Sequence, residues 1–284
     1  IAGQARNDGH NNKNTPMKTI LITGASGGIG KECAKLFAAK GGWNVVATMR
    51  RPEEETEFSA FPNITVLPLD VTNDESVQNA VNVTLEKFGQ IDVLLNNAGF
   101  GAIGALESAS FEDYYRQFDT NLFGVIRMIQ AILPSMRAQK SGLIINVSSI
   151  AEIVGSPFAS LYHSSKWALS GLCESLQYEL REYGIRIKLV LPPPVKTNFF
   201  GTSMSVLRKC ETYNENLDKS FWLNAGLLEK VSIKPQQIAK IVYRAATDGR
   251  RKFRYNAGVG GFVRFFRRVL CDRVLFWVVR KSTL

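Results

Sequence analysis

The chain has 284 residues, 45% of them hydrophobic, which is enough apolar material to bury a large single core and excludes a disordered chain. Its formal charge of +10 is concentrated at one end, so the body is close to neutral. Four scattered cysteines (Cys33, Cys173, Cys210, Cys271) and two histidines (His10, His163) offer no zinc-ligand set and no disulfide framework, which indicates free thiols in a reducing, cytoplasmic setting.

Residues 1–16 are polar and rich in Asn and Gly, and read as a disordered leader or an expression remnant. Lys18–Thr23 is apolar and β-branched and reads as a short buried strand, running into Gly24-Ala25-Ser26-Gly27-Gly28-Ile29-Gly30. A helical run follows from Lys31 to Lys40, with Cys33, Ala34, Phe37 and Ala38 on one side. Strand, glycine turn and helix together bring backbone N–H groups and a helix N-terminus to a pyrophosphate. The glycine spacing is GxxxGxG and not GxGxxG, so a tight turn alone is the competing reading. Further strands are predicted at Asn44–Thr48, Ile64–Leu69, Ile91–Asn96, Leu143–Ser148 and Ile185–Leu191. Helices are predicted at Ser76–Phe88, Phe111–Gln139, Leu161–Tyr183 and Gln236–Thr247. This alternation predicts an α/β domain whose parallel sheet is covered on both faces.

The chemistry concentrates in Ser149, Tyr162 and Lys166, set thirteen and then four residues apart. Tyr162 and Lys166 are i and i+4 and share a helix face. An ammonium beside a phenol favours the phenolate and lowers a pKa otherwise near about 10, making the tyrosine a proton donor or acceptor near neutral pH. His163 points off that face by about 100° and receives no catalytic role. A lone YxxxK is a weak signal; the order of the other motifs makes the set specific.

With Thr23-Gly24-Ala25-Ser26-Gly27-Gly28-Ile29-Gly30, Asn96-Asn97-Ala98-Gly99, Asn121, Ser149 and Tyr162-xxx-Lys166 in this order, the chain resembles the short-chain dehydrogenase/reductase family, its retinol and hydroxysteroid dehydrogenase-like members in particular. The resemblance covers residues 17–255. It implies a Rossmann-type doubly wound parallel sheet, a single domain, and an NAD(P)-dependent oxidoreductase moving hydride between nicotinamide and a carbonyl or alcohol carbon. It also implies a cofactor site. The glycine turn (Thr23, Gly24, Ser26, Gly28, Ile29, Gly30) holds the pyrophosphate, Asp70 and Val71 line the adenine, and Asn97, Ala98 and Gly99 line the adenosine ribose. Tyr162 and Lys166 lie at the nicotinamide ribose, and Val195 and Thr197 at the carboxamide. In the reductive direction Tyr162 protonates the nascent alkoxide, Ser149 hydrogen-bonds the same oxygen, Lys166 depresses the Tyr162 pKa, and Asn121 holds a water in a proton relay. Strand alternation separates Ser148 from Ser149, and the interval to Tyr162 favours Ser149.

Cofactor choice is read at the end of the second strand, where Val45-Val46-Ala47-Thr48-Met49-Arg50-Arg51 has no acid until Glu53. Arg50 or Arg51 can pair with a 2′-phosphate, which favours NADP(H) over NAD(H); the competing reading is a basic loop balanced by Glu53, Glu54 and Glu55. Two departures from the family pattern stand out. Pro193 replaces the usual glycine of a Pro-Gly pair, and its fixed φ would shift backbone beside the nicotinamide. Glu152 also stands where relatives carry glycine, and is read as pointing to water in preference to the substrate mouth.

The 197–230 segment, which forms a substrate lid in relatives, carries Phe199, Phe200, Met204, Val206, Leu207, Tyr213, Phe221, Trp222, Leu223, Leu227 and Leu228. Such a lid suits a lipophilic carbonyl or alcohol of steroid, retinoid or fatty type; packing against the body or another subunit is the other reading. The resemblance implies homodimer or homotetramer contacts on the helices of 111–139 and 161–183. Residues 256–284 form a basic C-terminal helical extension, and Arg250–Leu284 holds ten Lys or Arg against one acid. On a helix, Phe262, Phe265, Phe266, Val269 and Leu270 fall on one face and Arg264, Arg267 and Arg268 on the other. This element can lie on an anionic membrane surface or pack over the active-site entrance. No nucleic-acid module accompanies it. The functional alternative is a nucleotide-sensing or scaffold protein that keeps the cofactor fold without turnover.

Overall fold

The computed structural model describes residues 16–197, 199, 203–208, 210–220 and 225–283; the leader reading for residues 1–15 therefore lies outside the described residues. Nine strands are described: β1 (Lys18–Ile22), β2 (Trp43–Met49), β3 (Ile64–Pro68), β4 (Val93–Asn96), β5 (Gly101–Ile103), β6 (Gly142–Val147), β7 (Ile185–Leu191), β8 (Met204–Val206) and β9 (Arg254–Asn256). The helices are α1 (Gly28–Lys40), α2 (Asp74–Phe88), α3 (Phe111–Phe118), α4 (Gly124–Gln139), α5 (Ser160–Leu180), the short α6 (Asn214–Lys219) and α7 (Ala225–Val231), then α8 (Pro235–Thr247), α9 (Gly260–Val269) and α10 (Asp272–Thr283).

Seven strands form one parallel sheet in the order β3-β2-β1-β4-β6-β7-β9. Successive side chains of a strand point to opposite faces, and here both faces are apolar. Ile20 and Ile22 pack with Phe37, Ile238 and Val242 on one face, whereas Leu21 packs with Val81, Met128 and Ile132 on the other. The register is fixed by this burial: Ile22 pairs with Leu95, and Leu95 with Ile145. The result is a Rossmann-type, doubly wound single domain with a C-terminal helical extension.

The predicted helix over 111–139 is interrupted. A capping box between Ser110 and Asp113 starts α3, and Asp119–Phe123 forms a π-helical turn before α4. The Asn121 side chain at this turn accepts from the Phe100 N–H at 3.0 Å and donates to the Phe100 carbonyl at 2.9 Å, tying the irregular turn to the loop after β4. π-turns of this kind mark functional positions in helices. Three strands carried no sequence signal. β5 and β8 pair with each other over three residues, and β9 pairs with β7 at the edge of the main sheet.

Candidate active site

Strand order reverses between β1 and β4, so a crevice opens at their carboxyl ends. Thr23 closes its base: the buried hydroxyl accepts from the Asn97 N–H at 2.9 Å and the Ala98 N–H at 3.0 Å. The glycine turn lies against this junction. Gly24 has φ +67°, and a Cβ there would lie 2.8 Å from the Ala98 Cα; one on Gly30 would lie 2.4 Å from the Gly24 carbonyl oxygen. Only glycine fits both positions, and the turn keeps its backbone open to a ligand.

The cleft above the turn has a volume of about 1630 Å³, and every expected cofactor residue except Thr23 and Gly30 lines it. Those two stand behind the wall and shape it. Arg50 lines the cleft and is exposed, while neighbouring Arg51 pairs with Glu54 at 2.7 Å. Asp70 lines it too, with one carboxylate oxygen accepting from the Thr72 N–H and hydroxyl. Val195 is held by a parallel bridge to Ile233, and Thr197 packs over Gly28. The Ser148 hydroxyl is buried on the cleft wall and makes no hydrogen bond to the protein. A cradle of glycines, an exposed arginine and an orphaned hydroxyl fit a phosphate-bearing nucleotide.

Ser149, Tyr162 and Lys166 meet in this cleft. Ser149 follows β6 and Tyr162 opens α5, so sheet and helix each fix one partner. Burial pushes the Tyr162 phenol up to about 12, and its hydrogen bond to Ser149 pulls the other way. The net shift is upward, against the depression expected from Lys166, because burial penalises the phenolate; the Lys166 ammonium sits 5.8 Å from the ring centroid and donates to the Val147 carbonyl at 3.1 Å. Burial brings Lys166 itself down to about 8, with the Glu152 carboxylate opposing the shift. Asn121 is buried behind the wall; its amide also donates to the Ser165 hydroxyl at 3.2 Å, so its side chain serves the scaffold. His163 is structural: Nδ1 donates to the Ala151 carbonyl at 2.8 Å, which leaves Nε2 to accept from the Ser156 N–H at 3.2 Å.

Glu152 does not point to water, nor does it reach the substrate mouth. Its side chain is buried, with Oε1 accepting from the Arg254 Nε at 2.9 Å and the Ser170 hydroxyl at 3.1 Å. Arg254 also binds Glu174 at 2.6 Å, so β9 is clamped to α5. Nothing in the local sequence pairs residues 152 and 254. Pro193 is accommodated with a trans peptide bond and packs against Gly258, a glycine with φ +48°.

Of the apolar 197–230 residues, Phe199 and Met204 line the cleft, whereas Leu207 is buried in a small separate cluster and Val206 is exposed. Tyr213 instead donates to Glu107 at 3.1 Å. Phe200, Phe221, Trp222 and Leu223, and the side chains of Leu227 and Leu228, lie outside the described residues. One part of the wall went unread in the sequence. Arg116 lines it beside Phe100, 5.4 Å from that ring, and donates to Ser205 at 3.1 Å. The last two helices contribute Phe262, Val263, Phe266, Leu275, Val278 and Val279, in line with the reading of this extension as packing over the active-site entrance.

A family model for short chain dehydrogenase matches residues 18–206. The chain belongs to this family. Retinol dehydrogenase 8 of Bos taurus is 36% identical over 252 residues, covering 84% of this chain and 80% of that protein. A 3-ketodihydrosphingosine reductase of Bacteroides thetaiotaomicron is 39% identical over 211 residues, covering 74% of this chain and 76% of that protein. Among solved structures, a short-chain dehydrogenase from Streptomyces avermitilis superimposes with a TM-score of 0.80 at 28% identity, covering 93% of this chain and 95% of that one. An alcohol dehydrogenase from Thermococcus sibiricus complexed with 5-hydroxy-NADP gives 0.69 at 29% identity, covering 85% and 96%. A short chain dehydrogenase/reductase from Burkholderia phymatum in complex with NAD gives 0.75 at 25% identity, covering 92% and 95%. As a short chain dehydrogenase, the protein is an NAD(P)-dependent oxidoreductase acting on a small molecule. No described helix is long and apolar enough to cross a membrane.

Proposed function

We propose that this short chain dehydrogenase is an NADP(H)-preferring reductase, or the reverse dehydrogenase, for a lipophilic carbonyl or alcohol of steroid, retinoid or fatty type, with Tyr162 as general acid–base. The reading is carried by one juxtaposition: Ser149, Tyr162 and Lys166 meet in a cleft whose far wall is apolar. The names of two relatives, retinol dehydrogenase 8 and 3-ketodihydrosphingosine reductase, support the substrate class.

The glycine turn, Asp70, Val71 and Asn97 to Gly99 would hold the nucleotide, Val195 and Thr197 its carboxamide end, and Arg50 a 2′-phosphate. When bound, the nicotinamide supplies or accepts the hydride. Tyr162, whose phenol is pushed up to about 12, carries its proton at neutral pH and is poised to donate it. Ser149, already bonded to that phenol, positions the substrate oxygen beside it. A buried phenolate left after donation is costly, and the Lys166 ammonium offsets that cost. With its pKa brought to about 8, Lys166 is still mostly charged at neutral pH. Asn121 acts through the π-turn, holding the Phe100 loop against α5.

The test is NADPH oxidation, followed by absorbance, over a panel of lipophilic aldehydes and ketones. In Tyr162→Phe the rate should fall by about 10²–10⁴-fold with NADPH affinity retained. Unchanged turnover in the variant would remove Tyr162 from the mechanism. Tight NADPH binding by the wild type without any turnover would favour the sensing or scaffold alternative, against which the intact Ser149, Tyr162 and Lys166 set argues.

A further inference from the structure

The last two helices carry apolar surface to two destinations. Val263, Phe266 and Leu275 turn into the cleft, whereas Phe265 and Val269 of α9 lie on an adjoining arc and are exposed. Phe262 belongs to both groups: it lines the cleft and is 67% exposed, so it sits on the rim. Val274 and Val278 of α10 do the same. The outward side of α10 is different again. Arg273, Phe276, Trp277 and Arg280 recur at i, i+3, i+4 and i+7, which makes one stripe. In that stripe Phe276 and Trp277 are each 63% exposed, and neither lines the cleft.

The charge on this surface has one sign. The two helices carry Arg264, Arg267, Arg268, Arg273, Arg280 and Lys281, and their one acid, Asp272, is paired with Arg267 at 2.6 Å. A two-fold pairing with a second copy would bring like charges together along the aromatic stripe, which disfavours a homodimer through this face. Exposed aromatic rings interleaved with arginines match an anionic lipid surface instead. The rings sit at the boundary of headgroups and acyl chains, and the guanidinium groups reach the phosphates. The helices are too short to span, so the contact is peripheral.

We propose that the α9–α10 pair docks the protein on the surface of an anionic lipid bilayer, with the rim of the cleft at the interface. The docking does not depend on the NADP(H) and lipophilic-substrate reading, because it is measured without turnover.

The full chain is sedimented with vesicles of phosphatidylcholine alone or with about 30% phosphatidylserine, an anionic surface of the kind polybasic segments bind. Two double variants on the outward stripe are compared with wild type: Phe276→Ser with Trp277→Ser, and Arg273→Gln with Arg280→Gln. NADPH affinity and unfolding midpoint serve as controls for folding. The proposal expects binding to the anionic vesicles that weakens with added salt and is at least about tenfold weaker in each double variant. Absence of co-sedimentation at low salt overturns it, as does binding that both double variants leave unchanged. Self-association by sedimentation velocity that the aromatic double variant abolishes, without vesicle binding, would overturn it in favour of a protein partner.

Discussion

Arg50 and Arg51 are neighbours in sequence but not in circumstance. Arg51 is paired with Glu54, while Arg50 faces the cleft and makes no ion pair among the described residues. Arg50→Ala should therefore weaken NADPH binding by about ten- to a hundredfold, the worth of a charge-assisted contact, and leave NADH binding unchanged. Fluorescence titration with both nucleotides checks it; equal losses would assign Arg50 a general role. Lys166 gives a pH prediction. Its pKa falls from 10.5 to about 8 on burial, so below pH 8 it is charged in both folded and unfolded chains, with its burial cost fully present. Between pH 8 and 10.5 the unfolded chain holds a proton that the folded chain has shed, and stability rises with pH. Lys166→Met should accordingly raise the urea midpoint at neutral pH, with a gain that shrinks as the pH approaches 10.5. A less stable variant at neutral pH would show that the hydrogen bond to Val147 outweighs burial.

Among the elements, α5 does more than present Tyr162 and Lys166. Ser170 and Glu174 on its next turns, with Glu152 from the loop after β6, grip Arg254 of β9. A three-residue edge strand has little pairing energy of its own, so this clamp fixes the point from which α9 and α10 start. Arg254→Ala would strand the buried Glu152 carboxylate and should cost about 3 kcal/mol or more in urea unfolding. Glu152→Ala combined with Arg254→Ala should lose clearly less than the sum of the two single variants. Additive losses would mean that the two residues act independently.

At the scale of the whole molecule, the cleft is a composite. Its glycine turn and the residues after β4 come from the first half of the chain, and its apolar wall comes in part from the last 25 residues. Phe266→Ala and Leu275→Ala should each lower kcat/KM for a long apolar carbonyl by about tenfold or more while sparing NADPH affinity, since each removes hydrophobic wall far from the glycine turn. A matching loss for a small water-soluble carbonyl would point to a structural defect instead.

Six of the seven strands of the parallel sheet were legible in the sequence because short apolar, β-branched runs and their alternation are local properties. Ile20 and Leu21 announce opposite faces whatever surrounds them. The glycine turn and the Tyr162–Lys166 spacing were legible for the same reason, since a backbone conformation and a helix face are set within a few residues. Tertiary structure alone decided the rest. The break at Asn121 answers to Phe100, the partner of Glu152 lies 102 positions away, and β5 exists only against β8. Burial decided the direction of the Tyr162 shift against the expectation from Lys166, because desolvation depends on every element that closes over the phenol and not on the residue four positions along.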